Sequence, residues 1–151
     1  MSRTIRILIV DDEESIRIAT AAILEEEGYL VDTASNGKEA IEKSNANFYN
    51  AALIDYRLPD MEGTELLTAF KETTPKMVKI MVTGYPSLQN AVISVNKRAD
   101  AFLMKPVGIE TLLNTIRDLL KKQEEEQKYS EEKVAEFIET RFKSIEPKVP
   151  L

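Results

Sequence analysis

Five short segments of this chain are built from apolar and β-branched residues with few interruptions: Ile5 to Val10, Leu30 to Ala34, Ala51 to Ile54, Val78 to Val82 and Ala101 to Met104. A strand that is apolar on both alternating faces has no side to offer water, so it must be covered above and below. The stretches between them carry helical periodicity. Ile16, Ala19, Ile23 and Leu24 form one apolar stripe, and Ala40, Ile41 and Ser44 form a smaller one after the Asn36-Gly37 turn. Leu66, Leu67 and Phe70 form a third, and Leu88, Ala91, Val92 and Val95 a fourth. The fifth, Ile109, Leu112, Leu113, Ile116, Leu119 and Leu120, is the longest. Strand and helix alternating in this way predict an α/β fold: a five-stranded parallel, doubly wound sheet whose right-handed crossovers put helices on both faces. Pro75, Pro86 and Pro106 fall between elements, where proline is tolerated, and Gly28 follows the first helix as a C-terminal cap.

Composition removes several classes of function. The 43% hydrophobic content fills one ordinary domain, and 151 residues leave room for a short extension. A net charge of −6 argues against a nucleic-acid surface, whose affinity rests on clustered Lys and Arg. Without Cys there is no disulfide or thiolate chemistry; without His the commonest zinc ligand and general base are missing, and with them most hydrolase triads. The apolar stretch before Asp11 is too short for a signal-peptide core, and no run reaches the roughly 18 apolar residues of a membrane span. A cytoplasmic protein with no membrane association is expected.

The residues at the strand ends carry the chemistry. The first strand stops at Asp11 and Asp12, the third at Asp55, the fourth at Thr83 and the fifth at Lys105. In open α/β sheets ligands bind beyond the carboxyl ends of the strands, so these side chains should converge. An Asp after a strand is usually a turn residue or helix cap, but polar residues at four strand ends exceed what capping needs. Three carboxylates brought close repel one another, and a divalent cation is the usual way to hold them. With oxygen ligands only, the preferred ion is hard, Mg2+ before Zn2+. Mg2+ takes a phosphate oxygen readily. Together with the Lys105 ammonium and the Thr83 hydroxyl it would stabilise a transferring phosphoryl group, with Asp55 as the candidate nucleophile.

The segments "VDDEES", "ALIDYRLPDMEG", "MVTGY" and "ADAFLMKPV", in this order and at these separations, resemble the receiver domain of two-component response regulators over roughly residues 4 to 121. The resemblance implies a chemotaxis-type, flavodoxin-like (βα)5 fold with strand order 2-1-3-4-5. It implies that Asp55 is the phosphoacceptor, that Asp12 binds Mg2+ directly and Asp11 through water, and that the Arg57 backbone carbonyl is a further metal ligand. Thr83 would contact the phosphoryl group, Lys105 would pair with it, the Lys105-Pro106 bond would be cis, and Phe102 would be the switch aromatic. Arg57 and Tyr85 flank the pocket as candidates for tuning phosphoryl lifetime. The implied partner is a sensor histidine kinase or phosphotransfer protein carrying a phosphohistidine. Such a chain catalyses only its own phosphorylation and dephosphorylation and is not otherwise an enzyme. Its output is a change in the face formed by the fourth helix, fifth strand and fifth helix, open to a protein target or a homodimer. A phosphate sink or relay intermediate, or an inactive pseudo-receiver, are the alternatives. A dinucleotide fold would need a Gly-rich first turn in place of these acids, and an aspartyl phosphatase a second carboxylate two residues after Asp55, where Arg57 stands.

Two features stand apart. Arg98 occupies a position where the resembled family commonly has Gly, and a left-handed backbone there would cost roughly 1 kcal/mol. Gly108 is a weak cap for the fifth helix. Beyond residue 121 the run "KKQEEEQKYSEEK" favours helix without an apolar face, before Val134, Phe137, Ile138 and Phe142 open a new one. Val134 lies eighteen residues after Ile116, about five turns, so a continuous helix keeps them in phase. A break capped by Ser130 and a frayed end are the other outcomes. The expected organisation is a receiver over 1–121 and a helical extension over 122–151 that pairs with another chain or folds back, too short for a DNA-binding output domain.

Overall fold

The computed structural model describes residues 3–84 and 87–145, with side chains as far as residue 141. Strands β1 (Arg6–Val10), β2 (Leu30–Ala34), β3 (Ala51–Asp55), β4 (Val78–Thr83) and β5 (Ala101–Met104) form one parallel sheet in the order β2-β1-β3-β4-β5. Asp55 and Thr83 are the last residues of their strands rather than the first of the loops.

Strand alternation divides the core in two. Ile7, Ile9, Ala51, Leu53 and Ile80 point to one face, where they meet Leu24 of α1 (Glu14–Glu26) and Leu112, Leu113, Ile116 and Leu120 of α5 (Ile109–Ile145). Leu8, Val10, Ala52, Ile54 and Met81 point to the other, against Ala40 of α2 (Gly37–Ala46) and Leu66 and Leu67 of α3 (Leu66–Ala69). The third helix is shorter than its stripe predicts: a 3-10 turn over Gly63–Glu65 leads into a single α-turn, and Phe70 already has extended backbone. The Asn36-Gly37 pair is a helix start, with the Asn36 side chain accepting from the Glu39 N–H.

Helix α4 (Leu88–Asn96) departs from its predicted packing. Leu88 and Val95 are 82% and 68% exposed, and Ser94 is its buried residue. The cause is its position beside the edge strand β5, which has only four residues, none fully buried, and gives the stripe little to cover.

Two helix ends share one hydrogen-bond pattern. After α1, the Gly28 N–H donates to the Glu25 carbonyl and the Tyr29 N–H to the Leu24 carbonyl, with Gly28 at φ 93°. After α4, the Arg98 N–H donates to the Val95 carbonyl and the Ala99 N–H to the Ser94 carbonyl, with Arg98 at φ 69°. Both are Schellman turns, and the second places a side chain in the left-handed region that glycine occupies cheaply.

Helix α5 runs unbroken through Ser130, so of the outcomes for the tail the continuous helix is the one formed. Its last buried residue among those described is Gln123, 5% exposed, whose amide donates to the carbonyls of Asn50 (2.9 Å) and Lys76 (2.7 Å) at the amino end of the sheet. Asn50 in turn accepts from the Arg6 N–H. Beyond Gln123 the helix runs out past the 73–76 loop with its stripe largely uncovered: Val134, in phase with the fully buried Ile116, is 58% exposed, as is Phe137. The Phe142 side chain lies outside the described residues.

Candidate functional site

The carboxyl ends of β1, β3, β4 and β5 bring the expected side chains together. One oxygen from each of Asp11, Asp12 and Asp55 lies within 4.8 Å of the others. Asp11 and Asp55 are buried and Asp12 is exposed. The Lys105 ammonium bridges the two buried carboxylates, donating to Asp11 Oδ2 at 2.9 Å and Asp55 Oδ2 at 3.2 Å. The Lys105-Pro106 bond is cis, as is Thr74-Pro75. Thr83 is fully buried at the end of β4, and its carbonyl accepts from the Lys105 N–H at 2.7 Å. Thr83 therefore lies beside Lys105 and one register step beyond Val82, the residue paired with Asp55.

The surrounding loops fix these groups. Asp11 Oδ1 accepts from the Glu13 N–H (2.9 Å), while the Asp11 carbonyl accepts from the Arg17 guanidinium (2.7 Å). Glu14 stands in the first turn of α1, where negative charge suits the helix dipole, and Glu13 precedes it without a side-chain capping bond. The Arg57 N–H reaches Asp55 Oδ1 at 3.4 Å, and the Arg57 side chain is exposed. Phe102 is half-buried, packed at the margin of the core opposite Met81. Tyr85 lies outside the described residues.

Two contributors carried no sequence signal strong enough to single them out. A Cβ at Gly63 would stand 2.0 Å from the Asp55 carbonyl oxygen, and the Gly63 N–H donates to the Tyr56 carbonyl at 2.6 Å. Glycine here lets the loop after β3 fold back against Asp55. Asp60, in that same loop, accepts from the N–H groups of Gly37 (2.8 Å) and Lys38 (2.9 Å), tying the loop to the start of α2.

The electrostatics of the cluster are unbalanced. Burial pushes the Asp55 carboxyl above the usual carboxylate range, the Asp11 charge adds to this, and the Lys105 charge only partly opposes it. Burial pulls the Lys105 ammonium down, but its hydrogen bond to Asp11 and the charges of Asp55 and Asp11 outweigh burial and leave it raised. Both shifts favour the protonated forms, so the cluster is short of positive charge.

The sequence model of the response regulator receiver domain matches residues 7–117. The chain belongs to this family. The receiver is 35% identical over 120 residues to the response regulator ArlR of Staphylococcus saprophyticus, covering 78% of this chain and 53% of that protein, so it spans about half the length of that relative. It superposes on a CheY-like receiver domain from Methanospirillum hungatei with a TM-score of 0.78 at 51% identity, covering 82% of this chain and 99% of the other. A response regulator from Burkholderia pseudomallei, solved with a phosphorylated aspartic acid, calcium ion and citrate, matches with a TM-score of 0.71 at 28% identity, covering 82% and 72%. Receiver domains are signalling modules of two-component systems rather than classical enzymes. They generally bind Mg2+ at such an Asp cluster and interact with histidine kinases or phosphotransfer proteins. Among the described residues no helix is long and apolar enough to cross a membrane.

Proposed function

We propose that this receiver takes a phosphoryl group onto Asp55 from the phosphohistidine of a sensor histidine kinase or phosphotransfer protein, in a Mg2+-dependent reaction. The supporting observation is the gathering of Asp11, Asp12 and Asp55 around one point with Lys105 bridging two of them. An Asp55 oxygen attacks phosphorus, the P–N bond to the imidazole breaks as the acyl phosphate forms, and the electron pair leaves on the imidazole nitrogen. The donor set suits a hard divalent cation: carboxylates of Asp11, Asp12 and Asp55 with the Arg57 carbonyl, all oxygens, short of positive charge. Those oxygens would hold Mg2+, which when bound would supply positive charge for the phosphoryl oxygens. Lys105 balances the remaining charge, and Thr83 hydrogen-bonds the phosphoryl group from its buried place at the end of β4.

Phosphorylation then acts as a switch. Thr83 moves toward the new group and Phe102 packs inward, changing the face of α4, β5 and α5, where exposed Leu88, Val92, Val95 and Met104 offer apolar contact to a protein target or second copy. The receiver occupies residues 1–121 and the extension 122–151, helical over its described part to Ile145, adds a second pairing surface, in a cytoplasmic protein that catalyses only its own phosphorylation and dephosphorylation.

The test is incubation with a small acyl-phosphate donor in Mg2+. Wild type should be labelled and Asp55→Asn should not; undiminished labelling of the variant would sink the assignment. Sizing of the phosphorylated and unphosphorylated chain then reads the switch.

A further inference from the structure

At the amino end of the sheet, opposite Asp55, a cavity of about 380 Å3 opens between the ends of α3 and α4 and the start of β4. Five of its lining residues are cations, Lys71, Lys76, Lys79, Lys97 and Arg98, against the single acid Glu72. The chain as a whole carries −6, so this patch opposes the sign of the rest. Phe70 and Met77 give it an apolar floor.

The fold resolves this charge only in part, through Glu72 and through Asp100, whose carboxylate accepts from the Lys79 N–H at 2.8 Å. The side chains of Lys76, Lys97 and Arg98 make no hydrogen bond or ion pair among the described residues. Lys71 reaches only the Asn45 carbonyl, at 3.2 Å. Lys79 is the deepest, 9% exposed, and its ammonium donates to a backbone carbonyl, that of Leu67, at 2.8 Å. Burial, and after it the charge of Lys76, holds its pKa below the ordinary lysine value.

Cations near a helix C-terminus offset its dipole, which would account for Lys97 and Arg98 alone. It does not account for Lys76 and Lys79, which precede and open β4, or for the Arg98 backbone. That residue holds φ 69° in a turn that Gly28 makes without strain, and the result is a guanidinium on the cavity wall. Strained non-glycine residues concentrate where a ligand is held, and Arg matches phosphate geometry with two parallel N–H donors.

We propose that this cavity binds a small anion carrying two or more phosphate charges, gripped by Lys76, Lys97 and Arg98 above the buried Lys79. Its volume falls in the range of small-molecule sites. Its position puts the ligand at the far pole of the sheet from the phosphoacceptor, against the end of α4.

Inorganic pyrophosphate is the probe, titrated into the full chain at constant ionic strength without divalent metal while backbone amide resonances are followed. Saturating shifts are expected at residues 76–79 and 96–98, with none at Asp11, Asp12 or Asp55. The double variant Lys97→Ala/Arg98→Gly should bind at least tenfold more weakly, while melting no lower than wild type because glycine relieves the turn. Shifts that never saturate, shifts matched by sodium chloride at equal ionic strength, shifts centred on the Asp cluster, or undiminished affinity in the double variant would each overturn the proposal.

Discussion

The amide pair under α5 and the acidic cluster at the other end of the sheet both bury polar groups and settle them in opposite ways. At the amino end, Gln123 and Asn50 are neutral amides that satisfy each other's neighbourhood: Gln123 closes two backbone carbonyls and Asn50 pairs along β1. At the carboxyl end, two buried carboxylates share one ammonium beside an exposed third carboxylate. The first arrangement is complete in itself and holds α5 to the sheet. The second is left one cation short, and that deficit is what a metal ion can answer before an anionic phosphoryl group arrives. Buried polarity thus serves anchorage where it is satisfied and chemistry where it is not.

This contrast can be broken by experiment. The largest effect is expected at the carboxyl end: Mg2+ at a hundred times its dissociation constant should stabilise the fold by about 2.7 kcal/mol, and Asp12→Ala should abolish that gain. Urea unfolding with and without Mg2+ reads both, and equal stabilisation of the variant would remove the cluster from the metal site. Next comes the amino end. Gln123→Leu leaves the Lys76 carbonyl without a donor and the Asn50 carbonyl with the Val78 N–H alone, and should cost about 1–3 kcal/mol while leaving phosphodonor labelling intact. A neutral result would mean that α5 is held by its apolar stripe alone.

A smaller change of opposite sign is expected from Arg98→Gly, which should stabilise by up to about 1 kcal/mol by removing a side chain from the left-handed region. The converse, Gly28→Arg, should lose a similar amount, so the two Schellman turns check each other in thermal melts.

The smallest effect belongs to Asp60, an acid at the carboxyl end that is satisfied. The Gly37 N–H, and with it that of Lys38, holds its carboxyl below the ordinary value of 3.8. A depressed acid stabilises the fold above its unfolded pKa and loses that contribution as pH falls through the folded one. Asp60→Ala should therefore cost only about 0.5 kcal/mol at pH 7, given its exposure. The gap to wild type should close below about pH 4, near the reference carboxylate pKa; a gap that persisted in acid would point to packing instead.

Much of this was legible in the sequence because the strands are apolar on both faces and their ends are not. Ile7 through Val10 could only be a covered strand, and acids at its mouth and at Asp55 could only meet if the sheet was parallel. Arg98 was legible too, as a residue in a glycine's place. What escaped were features whose residue types do not announce their surroundings. Gln123 sits in a run of charged and amide residues that reads as solvated, yet it lies seven after Ile116 and extends the same buried stripe. The α4 stripe read as core because Leu88 and Val95 are apolar, and nothing local reveals that β5 is too short to cover them. Continuity through Ser130 depends on Glu, Gln and Lys favouring helix without needing a partner, a preference that a single capping residue did not overcome. The basic cavity draws on two separate segments, 67–79 and 96–98, and charge counted along the chain cannot show their meeting.

The unbroken course of α5 has a mechanical consequence. Past Gln123 some 22 further residues run on, about 33 Å of helix at 1.5 Å per residue. With Gln123 as fulcrum, a tilt of about 5° would sweep the far tip through about 3 Å. Such a helix would work as a lever, its near end beside the acidic cluster and its far end magnifying any tilt.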